Sequence, residues 1–166
     1  VPCVLKHWDR LSKKERHYEI IRYVQSQKGA AISLNLHPKV GSAVSCHAQP
    51  ARFLSKRINA NLNSADLQHF PYLLVIEATR PEGRLHLHGV YLDLGYPKRL
   101  IHEAFRKGAG KITGRSGSRQ VFSKAVYAAR GWHNYILKDA AWTRRFLEAE
   151  VNLRRVSRPM TQIVRD

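Results

Sequence analysis

The sequence predicts an α+β domain in which an antiparallel sheet carries helices on one face. Three observations predict it: residues 31–37 and 85–94 alternate with a two-residue period, residues 72–78 form a compact β-rich run between them, and stretches of helical apolar spacing precede, separate and follow these segments. With 166 residues, 43% of them hydrophobic, the chain has the length of one ordinary domain and the apolar side chains to fill a core.

The elements follow in order. Ser12 and Glu15 stand at capping-box spacing, with Asp9 the other candidate cap, and apolar Tyr18, Ile20, Ile21 and Val24 continue a helix that Gly29 stops. Residues 31–37 (AISLNLH) read as a strand, 50–62 as a helix, and 72–78 (YLLVIEA) as a second strand. A turn at 80–83 folds the chain into a hairpin whose other strand is 85–94. Pro97 opens a helix through Lys107, and 120–122 make a last short strand. From residue 123 the chain reads as helical through Lys138, with Gly131 a local weakness, and further helix runs to Arg155. A helix followed by β-α-β-β-α-β is the order of a ferredoxin-like or RRM-like split β-α-β sheet, whose second face is free for a ligand. The expected division is an N-terminal helix at 1–29, a sheet core at 30–122 and a helical segment at 123–166, all one domain.

The 29 Lys and Arg against 12 Asp and Glu give a net charge of +17 and a pI near 10.5, which points to a polyanionic partner. Nucleic acid fits better than membrane, because no apolar stretch approaches the ~20 residues of a transmembrane helix and no signal-peptide pattern opens the chain. Basic residues gather at Lys13, Lys14 and Arg16, at Lys56 and Arg57, between Arg106 and Arg119, and at Arg144, Arg145, Arg154, Arg155 and Arg158. Each cluster can follow a phosphate backbone or be a solvated face. Trp132, His133 and Trp142 are candidates for stacking on unpaired bases or for the core. The glycine-rich segment 108–117 (GAGKITGRSG) lacks the phosphate-loop pattern and reads as a connector or a DNA-contacting segment. Cys3 and Cys46 are too few and too far apart for a zinc knuckle or disulfide framework, which suits a reducing compartment. The chain opens on Val1, as an excised piece of a longer protein would.

His86 and His88 in RLHLHGV lie two residues apart, so on a strand both imidazoles face the same way and form a chelating pair, or a pair of surface histidines. The short turn brings Glu77 alongside them as a third ligand; its place inside LLVIEA is costly unless a cation pairs it, the plainer alternative being a salt bridge to Arg84. Two imidazoles and one carboxylate suit a hard or borderline divalent cation with open positions. Tyr135 in WHNYILKD shares a helical face with Lys138 and Asp139. A phenol becomes a nucleophile when a neighbouring cation stabilises the phenolate, and Lys138 is the local candidate; the alternative is a tyrosine that packs the helix on the core.

These motifs, in this order, resemble those of the HUH endonucleases, specifically single-tyrosine rolling-circle replication initiators (Reps). RLHLHGV is similar to their histidine-hydrophobic-histidine motif and YILKD to their Y-x-x-K motif, while AISLNLHP stands where their first motif falls. Tyr135 follows the histidine pair, as in Reps, whereas in relaxases the tyrosine comes first. Tyr127, eight residues before Tyr135, does not match the spacing of double-tyrosine initiators and reads as structural. The resemblance implies Mg²⁺ or Mn²⁺ bound by His86, His88 and Glu77, attack of Tyr135 on a scissile phosphate with help from Lys138, and a 5′-phosphotyrosine with a free 3′-OH. It further implies single-stranded DNA or an origin hairpin as substrate, a helicase on a separate domain or host protein, a plasmid or virus as source, and a place in the bacterial cytoplasm, or in the nucleus for a eukaryotic viral protein. Asp139 reads as a helix-surface salt bridge or an occasional ligand. Neighbouring possibilities are a mobilisation relaxase, an HUH transposase, and a non-catalytic nucleic-acid-binding module. A histidine-triad hydrolase would want a third alternating histidine where Arg84 stands.

Overall fold

The computed structural model describes residues 5–148 and 153–166. After a 3-10 turn (Leu5–Arg10), the chain runs α1 (Lys13–Ser26), β1 (Ala30–Asn35), α2 (Pro38–Ser45), α3 (Pro50–Ser64), β2 (Tyr72–Ala78), β3 (Leu85–Tyr91), α4 (Lys98–Gly108), a second 3-10 turn (Arg115–Arg119), β4 (Val121–Ala125), α5 (Ala129–Leu137), α6 (Ala140–Phe146), β5 (Arg154–Val156) and α7 (Arg158–Arg165). The sheet order is β4-β1-β3-β2-β5 with every neighbouring pair antiparallel. The first four strands have the split β-α-β order, so the α+β class holds, and β5 adds a fifth strand beside β2.

Local chemistry accounts for most of these elements. The Ser12 side chain accepts from the Glu15 amide and the Glu15 carboxylate accepts from the Ser12 amide, completing the capping box of α1. β1 stops at Asn35 because His37 leaves the strand to cap α2, its Nδ1 accepting from the Lys39 amide ahead of Pro38 at the first turn. The β2–β3 turn closes with Thr79 and Gly83 amides donating to the carbonyls of Arg84 and Thr79, and Gly83 takes φ of 68° where a side chain would also run into the Phe146 ring.

Alternation along the strands builds two cores. One face sends Ile32, Leu34, Leu74, Ile76, Leu87 and Tyr91 against α3 and α4, with Phe105 among the fully buried rings. The other sends Ala31, Leu73, Val75 and Val90 against α1, α5 and α7. The second face is therefore covered rather than free: the N-terminal helix and the tyrosine-bearing helix lie on it. All seven residues of β2 are buried, which requires cover on both faces.

The expected helix from residue 123 is corrected as well. Residues 123–125 belong to β4, and α5 starts at Ala129. Ser123 points inward, where its hydroxyl meets Tyr91 Oη and His102 Nε2, so the strand is tied by polar contacts that no apolar pattern signals. The expected helix to Arg155 is replaced at its end by β5, whose residues pair with Leu73, Leu74 and Val75. The sheet thus reaches beyond the 30–122 core. Among the described residues no helix is long and apolar enough to cross a membrane. Cys46 is a free, exposed thiol, and Cys3 lies outside the described residues.

Candidate metal centre and neighbouring tyrosine

The β2–β3 register sets Glu77 directly opposite His86 and Val75 opposite His88. Strand alternation turns all three polar side chains to the face that α5 crosses. Glu77 Oε2 lies 2.9 Å from His86 Nε2 and 2.6 Å from His88 Nε2, and one ligand atom from each residue falls within 4.8 Å of the others. The imidazoles meet edge to face with centroids 4.7 Å apart. A buried Glu77-His86-His88 cluster that can hold a metal ion is therefore present, as its sequence spacing predicts.

The electrostatics of the cluster centre on Glu77, which is 4% exposed. Burial alone would push its carboxyl up, but the close contacts and charge of His86 and His88 outweigh it and hold the group well below the usual carboxylate range. Lys138 Nζ approaches the second oxygen, Oε1, at 3.5 Å. Among the described residues the ion pairs of Glu77 are with His86, His88 and Lys138 and not with Arg84.

His88 tests the fit of a cation. Its Nδ1 lies 2.8 Å from Ser33 Oγ on β1, which the β1–β3 register sets opposite it. With Nδ1–H donating to Ser33, the Nε2 lone pair turns toward Glu77. That Nε2 is buried, and although 2.6 Å from Glu77 Oε2 it lacks the angle of a hydrogen bond. A buried imidazole nitrogen left without a hydrogen bond beside a carboxylate oxygen is an arrangement that a cation would complete. Sequence reasoning missed Ser33. The signal was present, since Ala31, Ser33 and Asn35 share one face of β1 and two of the three are polar.

Tyr135 sits near the end of α5 with its ring centroid 5.2 Å from that of His88, and it is 42% exposed. Trp132, one turn earlier, stacks on it at 5.2 Å and 15° and donates its indole N–H to the Gly89 carbonyl at 3.0 Å. This bond pins α5 to the strand that carries both histidines. Gly89 itself has no room for a side chain, because a Cβ there would strike the Leu73 carbonyl. Lys138 Nζ lies 4.0 Å from the Tyr135 ring centroid. Burial would lower the Lys138 pKa, but Glu77 and Tyr135 outweigh it and raise the value, so the ammonium is firmly charged between them.

The remaining candidates separate. Asp139 pairs with Arg80 at 3.1 Å, at the start of α6, and is the surface salt bridge rather than a ligand. Tyr127, read as structural, is 78% exposed and packs no core. His133 is buried against Tyr18 and unavailable for stacking on a base. Trp142 packs beside the first core and under the Arg80 guanidinium. The glycine-rich connector is tied down by buried Gln120, whose side chain accepts from the Ile112 amide and donates to the carbonyls of Asn35 and Gly110. Comparison with protein-family models, with curated proteins and with solved structures finds no match for the chain.

Proposed function

We propose that this chain is a metal-dependent endonuclease of the HUH type, nicking and rejoining single-stranded DNA in the manner of a rolling-circle replication initiator. The observation that carries the reading is the meeting of Glu77, His86 and His88 beside a half-exposed tyrosine whose ring is 5.2 Å from His88. His86, His88 and Glu77 would hold Mg²⁺ or Mn²⁺, whose chemistry is to draw charge from a phosphate oxygen.

The chain's own residues supply the rest. Lys138 sets a positive charge over the Tyr135 ring, where it would offset negative charge gathering at the phosphate during attack. Trp132 holds the phenol ring in place by stacking, and the exposure of Tyr135 lets a strand of DNA reach it. Tyr135 Oη attacks phosphorus; the Oη–P bond forms as the P–O3′ bond breaks, the phenol proton leaves, and the departing 3′ oxygen takes one up. The 5′-phosphotyrosine keeps the phosphodiester's energy, so the 3′-OH can return and reseal the strand. The net charge of +17 suits the polyanion.

The test is incubation with a randomised pool of single-stranded oligonucleotides and Mn²⁺, followed on a denaturing gel. A metal-dependent covalent adduct that Tyr135→Phe abolishes supports the reading. Tight binding with no adduct from any pool overturns it in favour of a non-catalytic nucleic-acid-binding module.

A further inference from the structure

A groove of about 500 Å³ runs beside the candidate centre, between β4 and the Trp132–Tyr135 side of α5. Its outer wall carries Phe122, which is 60% exposed, and Tyr127, which is 78% exposed. Two large rings left in water along one groove are unusual for side chains that ordinarily supply core area. Lys124 lines the same groove, two residues from Phe122 and so on the same face of β4. At the inner end stand Ser33, which holds His88 Nδ1, and Tyr135. The groove therefore borders the candidate centre through Ser33 and Tyr135, and because β4 is an edge strand no further strand among the described residues closes it from outside.

The chemistry of the walls selects an occupant. Flat aromatic surfaces take the faces of unpaired bases whatever their sequence, and a single ammonium between them takes a phosphate. An apolar peptide would suit the rings but leave Lys124 and the charge of +17 without a counterpart. We propose that the β4–α5 groove is a subsite for an unpaired nucleotide of single-stranded DNA next to the scissile phosphate, with Phe122 and Tyr127 stacking on bases and Lys124 contacting the backbone. The position next to a scissile phosphate rests on the nickase reading, whereas the binding itself does not.

The experiment is accordingly run without cleavage. Fluorescence anisotropy in EDTA compares a labelled oligothymidylate with an abasic oligonucleotide of equal length, on the full chain and on Phe122→Ala, Tyr127→Ala and Lys124→Ala. All three positions are surface side chains, and circular dichroism checks that each variant is folded. Each aromatic substitution should weaken oligothymidylate binding by about 5- to 100-fold with the salt dependence unchanged. Lys124→Ala should instead reduce the slope of log K against log salt by about one contact. Wild type should bind the abasic strand at least as weakly as either aromatic variant binds oligothymidylate. Equal affinity of wild type for both strands, or aromatic variants that bind like wild type, overturns the inference. Base-dependent binding in the groove with no adduct under nicking conditions would sink the nickase reading alone, and an adduct with unaltered aromatic variants would sink the groove alone.

Discussion

Glu77→Gln separates a cation site from a buried ion-pair network, because the two arrangements respond oppositely to metal. The substitution keeps side-chain size, so it leaves no cavity in the strand. It removes the charge that lies 2.9 Å from His86, 2.6 Å from His88 and 3.5 Å from Lys138. The Lys138 side chain is 45% exposed, so its ammonium is not stranded in the core. In EDTA the cost is that of the hydrogen bonding lost from a buried carboxylate, about 1.5–3 kcal/mol. In Mn²⁺ the difference is larger. At free metal near 100 times Kd, wild type gains about 2.7 kcal/mol, or about 5–10 °C in Tm for a domain of this size. Loss of partners that merely orient ligands costs about 10- to 100-fold in affinity, so loss of a ligand costs at least about 100-fold. The same Mn²⁺ concentration then gives the variant about 0.4 kcal/mol, close to 1 °C. Differential scanning fluorimetry across a Mn²⁺ titration reads both numbers. A variant that gains as much as wild type, or a wild type that gains nothing, refutes the assignment of Glu77, His86 and His88 as ligands.

Two further predictions test the surroundings of the centre. Ser33→Ala removes the partner 2.8 Å from His88 Nδ1 and should lower Mn²⁺ affinity by about 10-fold or more while Tm in EDTA stays within about 2 °C; unchanged affinity would show that Ser33 does not orient the imidazole. His17, buried beside Arg154, has its pKa pushed from 6.5 to about 3, first by burial and then by the charges of Arg154, His133 and Lys13. The folded value lies below the unfolded one, so the stability held by neutral His17 is complete above pH 6.5 and lost as pH falls toward 3. His17→Gln should flatten the decline of stability between pH 6.5 and 4.5 by up to about 1.4 kcal/mol per pH unit in denaturant titrations, and parallel profiles for the two proteins would refute it.

The hairpin and the Glu77-His86-His88 cluster on it were legible because both depend on near neighbours. A strand's alternation places His86 with His88, and a turn of a few residues leaves little freedom over which residue of β2 faces them. Helix α2 was not legible: PKVGSAVS buries only Val44, so it carries no apolar period, and its signals are a proline and a histidine cap. β5 escaped because RRV gains strand geometry only by pairing with β2, some eighty residues earlier in the chain.

The expectation of a free sheet face failed for a more instructive reason, since the sequence itself argued against it. YLLVIEA is apolar at consecutive positions rather than alternate ones, and a strand with that pattern is buried on both sides. Cover on the second face has to come from segments outside the β-α-β-β-α-β unit, and only the N-terminal helix and the chain after β4 were left to provide it. The cover then decides where a ligand can enter. α1, α5 and α7 seal Leu73, Val75 and Val90, while α5 meets His88 with the rings of Trp132 and Tyr135. A tyrosine on that helix is thus carried to the buried cluster by the same packing that closes the core. The polar residues of this face concentrate at that end, at Ser33, Glu77, His86 and His88, where helix cover gives way to the groove beside β4.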